Sequence, residues 1–213
     1  QDILGDLGQR IRRKPHEIAR ASSLVPRQVA GDGGPHRTGN VDRWDRIPRI
    51  RVSVKYVPGD GKLDGLVHCA AHFTGFMRLA EVPPKDWLDG VQTNLTAAYV
   101  LTRSCLPLLE KSSDASVVFV SDTAGRTPKA YHGVYGITKA AIEALSATFA
   151  LEYAGTHPQL RFNSFYPGPM RTAVRVKGFS GERGDAVPPP DLAAKKLVWV
   201  LSEAGSAVRG QAC

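Results

Sequence analysis

Apolar and polar positions divide the chain into two unlike parts, with the change near residue 60. Beyond that point, short apolar runs alternate with stretches in which apolar residues recur at steps of three and four. This is the signature of strands followed by amphipathic helices. Residues 63–70 (LDGLVHCA), 116–121 (SVVFVS) and 160–166 read as buried strands. Residues 85–109 read as one or two helices, with Trp87, Val91, Leu95 and Tyr99 giving the repeat. A long helix is predicted over 134–153, where Ile142, Leu145 and Phe149 mark one face, and a last one over 191–202 with Asp191 as its N-cap. The alternation predicts an α/β fold built on a parallel sheet.

Residues 1–61 do not share this order. Arg, Pro and Gly punctuate them, and Gly31-Asp32-Gly33-Gly34-Pro35 is a loop signal. Modest helices are read at 2–13 and 15–21. Ile50, Val52, Val54 and Tyr56 alternate with Arg51, Ser53 and Lys55, which predicts one half-exposed strand before the turn at Pro58-Gly59-Asp60-Gly61. The chain opens on Gln1 rather than Met, and the weak periodicity fits a fragment or a segment read in another frame. The organisation expected is an atypical Arg/Pro/Gly-rich segment over 1–61 and a folded domain over 62–213.

With 213 residues the chain can bury a substantial core. Its net charge of +8 raises the question of nucleic acid. The arginines from Arg10 to Arg51 carry much of that charge, in a segment with few aromatics beyond Trp44 and Tyr56 and no recognised binding motif, so no nucleic-acid partner is expected. Cys69, Cys105 and Cys213 show neither paired spacing nor histidine partners, which argues against a disulfide framework and against a metal site. No stretch approaches the roughly 20 apolar residues that span a bilayer, and the N-terminus lacks a secretory apolar core. The expectation is a cytoplasmic protein with no membrane partner.

Candidate chemistry enters with Tyr135-Gly136-Ile137-Thr138-Lys139. A phenol and an ammonium four residues apart lie on one helix face. A nearby cation favours the phenolate and draws the tyrosine towards working pH, which is how a protein makes Tyr a general acid or base. Taken alone the pair is commonplace, as are Asn94 on a helix and Pro167-Gly168 in a turn. Gly136 and Thr138 read as merely tolerated in the helix, and His68, His72 and His132 as satisfied or exposed side chains.

Together, Asn94, the strand ending at Ser121, the Tyr135–Lys139 pair and the run Asn163-Ser164-Phe165-Tyr166-Pro167-Gly168 resemble the short-chain dehydrogenase/reductase family over about residues 62–210. The resemblance implies a doubly wound parallel sheet of Rossmann-like type, truncated or altered on its N-terminal side. It implies an oxidoreductase that moves hydride between NAD or NADP and a small-molecule alcohol or carbonyl substrate. By the same resemblance Tyr135 is the catalytic acid/base, Lys139 its partner and a holder of the nicotinamide ribose, and Asn94 positions a water in the proton relay. Pro167, Gly168 and Thr172 match the elements that hold the carboxamide. Ala70 is the one match in His68-Cys69-Ala70-Ala71, which takes the place of the Asn-Asn-Ala-Gly segment on the adenine side. Residues 170–186, with Gly178, Gly181 and Gly184, fall where the family carries a mobile substrate loop. A homo-oligomer is expected, with Val100, Leu101, Ile142, Leu145 and Phe149 as candidate apolar surface.

Two departures qualify the match. The family's glycine-rich phosphate-binding turn has no counterpart in residues 1–61, so weak cofactor binding is expected. Asp122 stands where the family's catalytic serine lies, thirteen residues before the tyrosine, flanked by Ser121 and Thr123. The alternative reading is a cofactor-free relative that serves as an interaction or structural protein.

Overall fold

Three apolar runs pair side by side as parallel strands in the order β1 (Gly65–His68), β2 (Ala115–Val120) and β3 (Leu160–Phe165). Leu66 lies opposite Val117, and Val117 opposite Phe162. The computed structural model describes residues 61–213; the helices read at 2–13 and 15–21, the loop at 31–35 and the strand at 50–56 lie outside the described residues. β2 and β3 form close to where the pattern placed them. β1 is shorter than residues 63–70, because its ladder to β2 covers only 65–68 and Leu63 donates its N–H to Leu108 O instead. Beyond β3, Ala212 bridges to Ser164 in parallel.

Between the strands run α1 (Pro84–Val91), α2 (Ala97–Leu109), the short α3 (Thr123–Arg126) and the long α4 (Gly133–Tyr153); α5 (Ala173–Gly178) and α6 (Asp191–Leu201) follow β3. α1 and α2 belong to one rod, joined by a π-helical turn over Gln92–Thr96. α6 begins at Asp191 itself with Pro190 at the cap position, so Asp191 is not the N-cap. Its carboxylate sits in the first turn, where the helix dipole still favours it.

The sheet is covered on both faces, as a parallel sheet requires. On one face, Phe119 and Phe162 stack on Phe149 of α4, and His68 stacks on Phe119 while its Nε2 meets Thr102 Oγ1 of α2 at 2.8 Å. On the other, Val118 and Phe165 pack with Val200, Leu197 and Leu201 of α6. Arg161 of β3 is fully buried there, donating to both carboxylate oxygens of Asp114 and to the carbonyls of Val200 and Gly205. Ile142 and Phe149, expected as candidate oligomer surface, are core residues; Ile137 and Leu151 are the exposed apolar residues of α4.

Two close approaches set the height of α4 over the site. A Cβ on Gly90 of α1 would stand 2.8 Å from the Val134 methyls, and one on Gly125 of α3 would stand 2.7 Å from the Lys139 carbonyl carbon. Gly136 is likewise buried, with His132 Cβ at 3.1 Å from its missing Cβ. The reading of Gly136 as merely tolerated is thus corrected: its lack of a side chain lets neighbouring turns approach.

Candidate active site

The site forms at the C-terminal ends of the strands, the usual place for ligands in an open α/β sheet. β2 delivers Ser121 and Asp122 at its end. Asp122 is extended and caps α3, its Oδ1 accepting from Ala124 N at 2.8 Å. That leaves Oδ2 turned to Tyr135, whose hydroxyl donates to it over a long 3.5 Å. Lys139 is buried one turn further along α4, with Nζ 5.7 Å from the Tyr135 ring centroid and donating to Val120 O at 2.7 Å.

The electrostatics differ from the sequence expectation. Burial and the Asp122 carboxylate push the Tyr135 phenol well above its ordinary range. Lys139 does not reverse this: desolvation pulls its own pKa down to about 8, against the opposing pull of Asp122. The reason is geometric. The ammonium is spent on a backbone carbonyl, while the carboxylate faces the hydroxyl. Tyr135 is therefore held in its protonated form.

Asn94 lies in the π-helical turn and is buried. Its Oδ1 accepts from His72 N at 2.5 Å, and its Nδ2 donates to His72 O at 3.0 Å and to Thr138 Oγ1 at 2.9 Å. The side chain thus ties the loop after β1 to α4. Thr138, read as merely tolerated, is a partner in this tie. Its signal was available in principle, since it lies between Tyr135 and Lys139, but its partner is distant in sequence. His72 corrects another expectation: its Nε2 is buried without a hydrogen-bond partner, and it shares a grouping with Asp86 and Asp89 whose ligand-type atoms lie within 4.8 Å of one another. His68, by contrast, is satisfied in the core, and burial lowers its pKa to about 4.

A cavity of about 290 Å³ gathers Asp122, Tyr135, Lys139, Pro167, Gly168 and Thr172 in its wall. Ala70 is exposed and not in that wall, where Cys69 and Ala71 stand instead. Asn94 acts from behind it. Thr172 caps α5, its Oγ1 accepting from Arg175 N at 3.3 Å. Within the expected substrate loop, Met170, Val174, Arg175, Gly178 and Phe179 reach the cavity. The sequence gave no signal for the aromatic group that completes it, Phe73, Phe76 and Phe179, because its members meet only through the fold.

The short chain dehydrogenase family pattern matches residues 37–183, so the likeness begins upstream of residue 62. The YciK oxidoreductase of Escherichia coli (strain K12) is 33% identical over 153 residues, covering 72% of this chain and 58% of that protein. Dehydrogenase/reductase SDR family member 4 of Bos taurus is 32% identical over 162 residues, 76% of this chain and 56% of that one. A short chain dehydrogenase from Pseudomonas syringae superposes with a TM-score of 0.68 at 35% identity, covering 71% of this chain and 61% of the other. One from Shigella flexneri 2a, solved in complex with NADP, superposes with a TM-score of 0.68 at 32% identity, covering 72% and 63%. The chain belongs to the short-chain dehydrogenase/reductase family and has its Rossmann-type fold. It spans little more than half the length of the two curated relatives. Among the described residues no helix is long and apolar enough to cross a membrane.

Proposed function

We propose that this chain is an oxidoreductase acting between a nicotinamide cofactor, NAD or NADP, and a small alcohol or carbonyl substrate. The observation that carries the reading is the convergence of Tyr135, Asp122 and Lys139 on one cavity wall. The residues present suit the nicotinamide end. Ser121 Oγ, beside the Glu143 carboxylate, is buried and meets no partner in hydrogen-bonding geometry. Gly168 adopts φ +78 with open space where a Cβ would stand. Lys139, Pro167, Gly168 and Thr172 are the residues that would hold the cofactor, with Ala70 outside the cavity at the end of β1. When bound, the cofactor supplies or accepts the hydride.

The protein's own part is positioning and proton transfer. Tyr135 holds its proton at Oη and presents it to a carbonyl oxygen, so the site is set for reduction. Lys139, charged below about pH 8, favours the phenolate left behind. Asn94 keeps the loop after β1 and α4 in register, so that donor and substrate meet in one geometry. The NADP-bound relative supports this reading. Residues 62–213 are read as the catalytic domain and residues 1–61 as a separate, atypical segment. A homo-oligomer in the cytoplasm belongs to the same proposal, with exposed Ile137 and Leu151 as its apolar surface; a monomer by sedimentation would remove that part. The central test is consumption of NADH or NADPH with carbonyl compounds. Tyr135→Phe should abolish it; turnover that survives the substitution assigns the proton to another group.

A further inference from the structure

One half of the cavity is not used by the proton-transfer groups. Phe73, Phe76 and Phe179 wall it in successive edge-to-face steps: Phe73 to Phe76 at 5.2 Å and 72°, Phe76 to Phe179 at 5.2 Å and 76°. The series continues into the reacting residue, since Phe73 meets the Tyr135 ring at 5.2 Å and 69°. Phe76 and Phe179 remain 37% and 43% exposed, apolar area that the fold itself leaves open beside a catalytic group. Gly178 lets α5 close onto these rings, its missing Cβ standing 3.1 Å from Phe76 Cε2 and 3.3 Å from Phe73 Cε1.

The polar groups around this half are already partnered. Lys129 Nζ donates to Thr123 Oγ1 at 2.6 Å. Arg175 is bidentate to Glu182 at 2.8 and 2.6 Å and lies 3.8 Å over the Phe179 ring. His132 Nδ1 pairs with Ala130 O at 3.0 Å. A ligand rich in hydroxyls would lose water without finding replacement partners. A ligand with a single polar atom, placed at Tyr135, loses little.

We infer that the substrate is an aryl carbonyl compound, its ring seated among Phe73, Phe76 and Phe179 and its oxygen at Tyr135; this rests on the oxidoreductase reading of the same site. Rings set nearly perpendicular to one another offer an arene both edges and faces, and complementary quadrupoles favour it over a saturated ring of the same size. Because Phe73 already touches Tyr135, an arene packed on it brings its attached carbonyl to the phenol.

The experiment compares binding of benzamide and cyclohexanecarboxamide, unreactive carbonyls of similar size, to the full chain without cofactor by ligand-observed NMR titration. Benzamide should bind about 2- to 10-fold more tightly. Phe76→Leu and Phe179→Leu should each remove most of that preference, Phe76→Tyr should keep it, and Trp199→Leu, on the exposed side of α6, should leave it unchanged. Equal affinity, preference for the saturated ring, failure of either amide to bind, or a preference that survives both leucine substitutions overturns the inference. No turnover enters this measurement. Its failure therefore leaves the proton-donor assignment standing, and failure of the Tyr135→Phe test leaves the arene site standing.

Discussion

Asp122 divides its two oxygens between two jobs. Oδ1 caps α3, and Oδ2 faces the phenol. A carboxylate there accepts but cannot donate to an oxygen that gains negative charge, and loss of one such donor typically costs roughly 10²–10³ in rate. Asp122→Ser keeps a good N-cap, restores a hydroxyl donor and removes one of the charges that raise the tyrosine. It should increase carbonyl reduction, by up to roughly 10²-fold, in cofactor-saturated assays. A decrease would make the carboxylate a working part of the site. Lys139 gives a second prediction. Its pKa of about 8 means that the ammonium is lost as pH rises through that value, so kcat/KM for reduction should decline on the alkaline side of about pH 8. A profile that stays flat well above that value would show that the charge of Lys139 is not used.

At the scale of elements, the packing of α3 on α4 decides whether Asp122 and Tyr135 face each other. Gly125→Ala would place a methyl against the Lys139 backbone, which cannot yield as a flexible side chain would. Overpacking of this kind costs about 1–3 kcal/mol; denaturant unfolding should show that loss, and reduction should fall with it because the cap residue shifts. A variant of unchanged stability would mean that the two helices separate freely. The strands and α4 were legible in the sequence because their signals are local: apolar runs such as Val117 to Val120, and steps of three and four such as Ile142, Leu145 and Phe149. Tyr135 and Lys139 were legible for the same reason. The Asn94–Thr138 tie, the Gly90 and Gly125 contacts and the Phe73–Phe76–Phe179 group were not, since each depends on distances between elements far apart in the chain. The tyrosine's upward shift was also hidden, because spacing shows that a cation is near but not that a carbonyl occupies it.

Across the whole molecule, two buried polar groups carry testable weight. Burial holds neutral His68 at a pKa of about 4, against an ordinary value of 6.5. Between those values the unfolded chain binds more protons than the folded one, so stability should fall as pH drops from 6.5 towards 4, by on the order of 2–3 kcal/mol. Unfolding curves measured across that window test it, and His68→Asn should flatten the dependence. Arg161 holds Asp114, β3 and the end of α6 in one network. Arg161→Leu leaves those acceptors unpaired and should cost roughly 3–5 kcal/mol, and Arg161→Lys should restore only part of it because an ammonium cannot reproduce the planar fork.

The π-helical turn at Gln92–Thr96 has a consequence for how this protein can vary in length. A helix turns about 100° per residue, so one residue deleted between Val91 and Ala97 would wind the rod back to regular α geometry and rotate all that precedes it relative to all that follows. Gly90 would leave Val134, and Asn94 would swing away from His72 and Thr138, although every substitution-sensitive residue was still present. Substitutions sample chemistry here, whereas a deletion changes phase. The five residues from Gln92 to Thr96 should therefore tolerate many exchanges and no loss, and a library of single-residue deletions through α1 and α2 should show its sharpest drop in folded protein there.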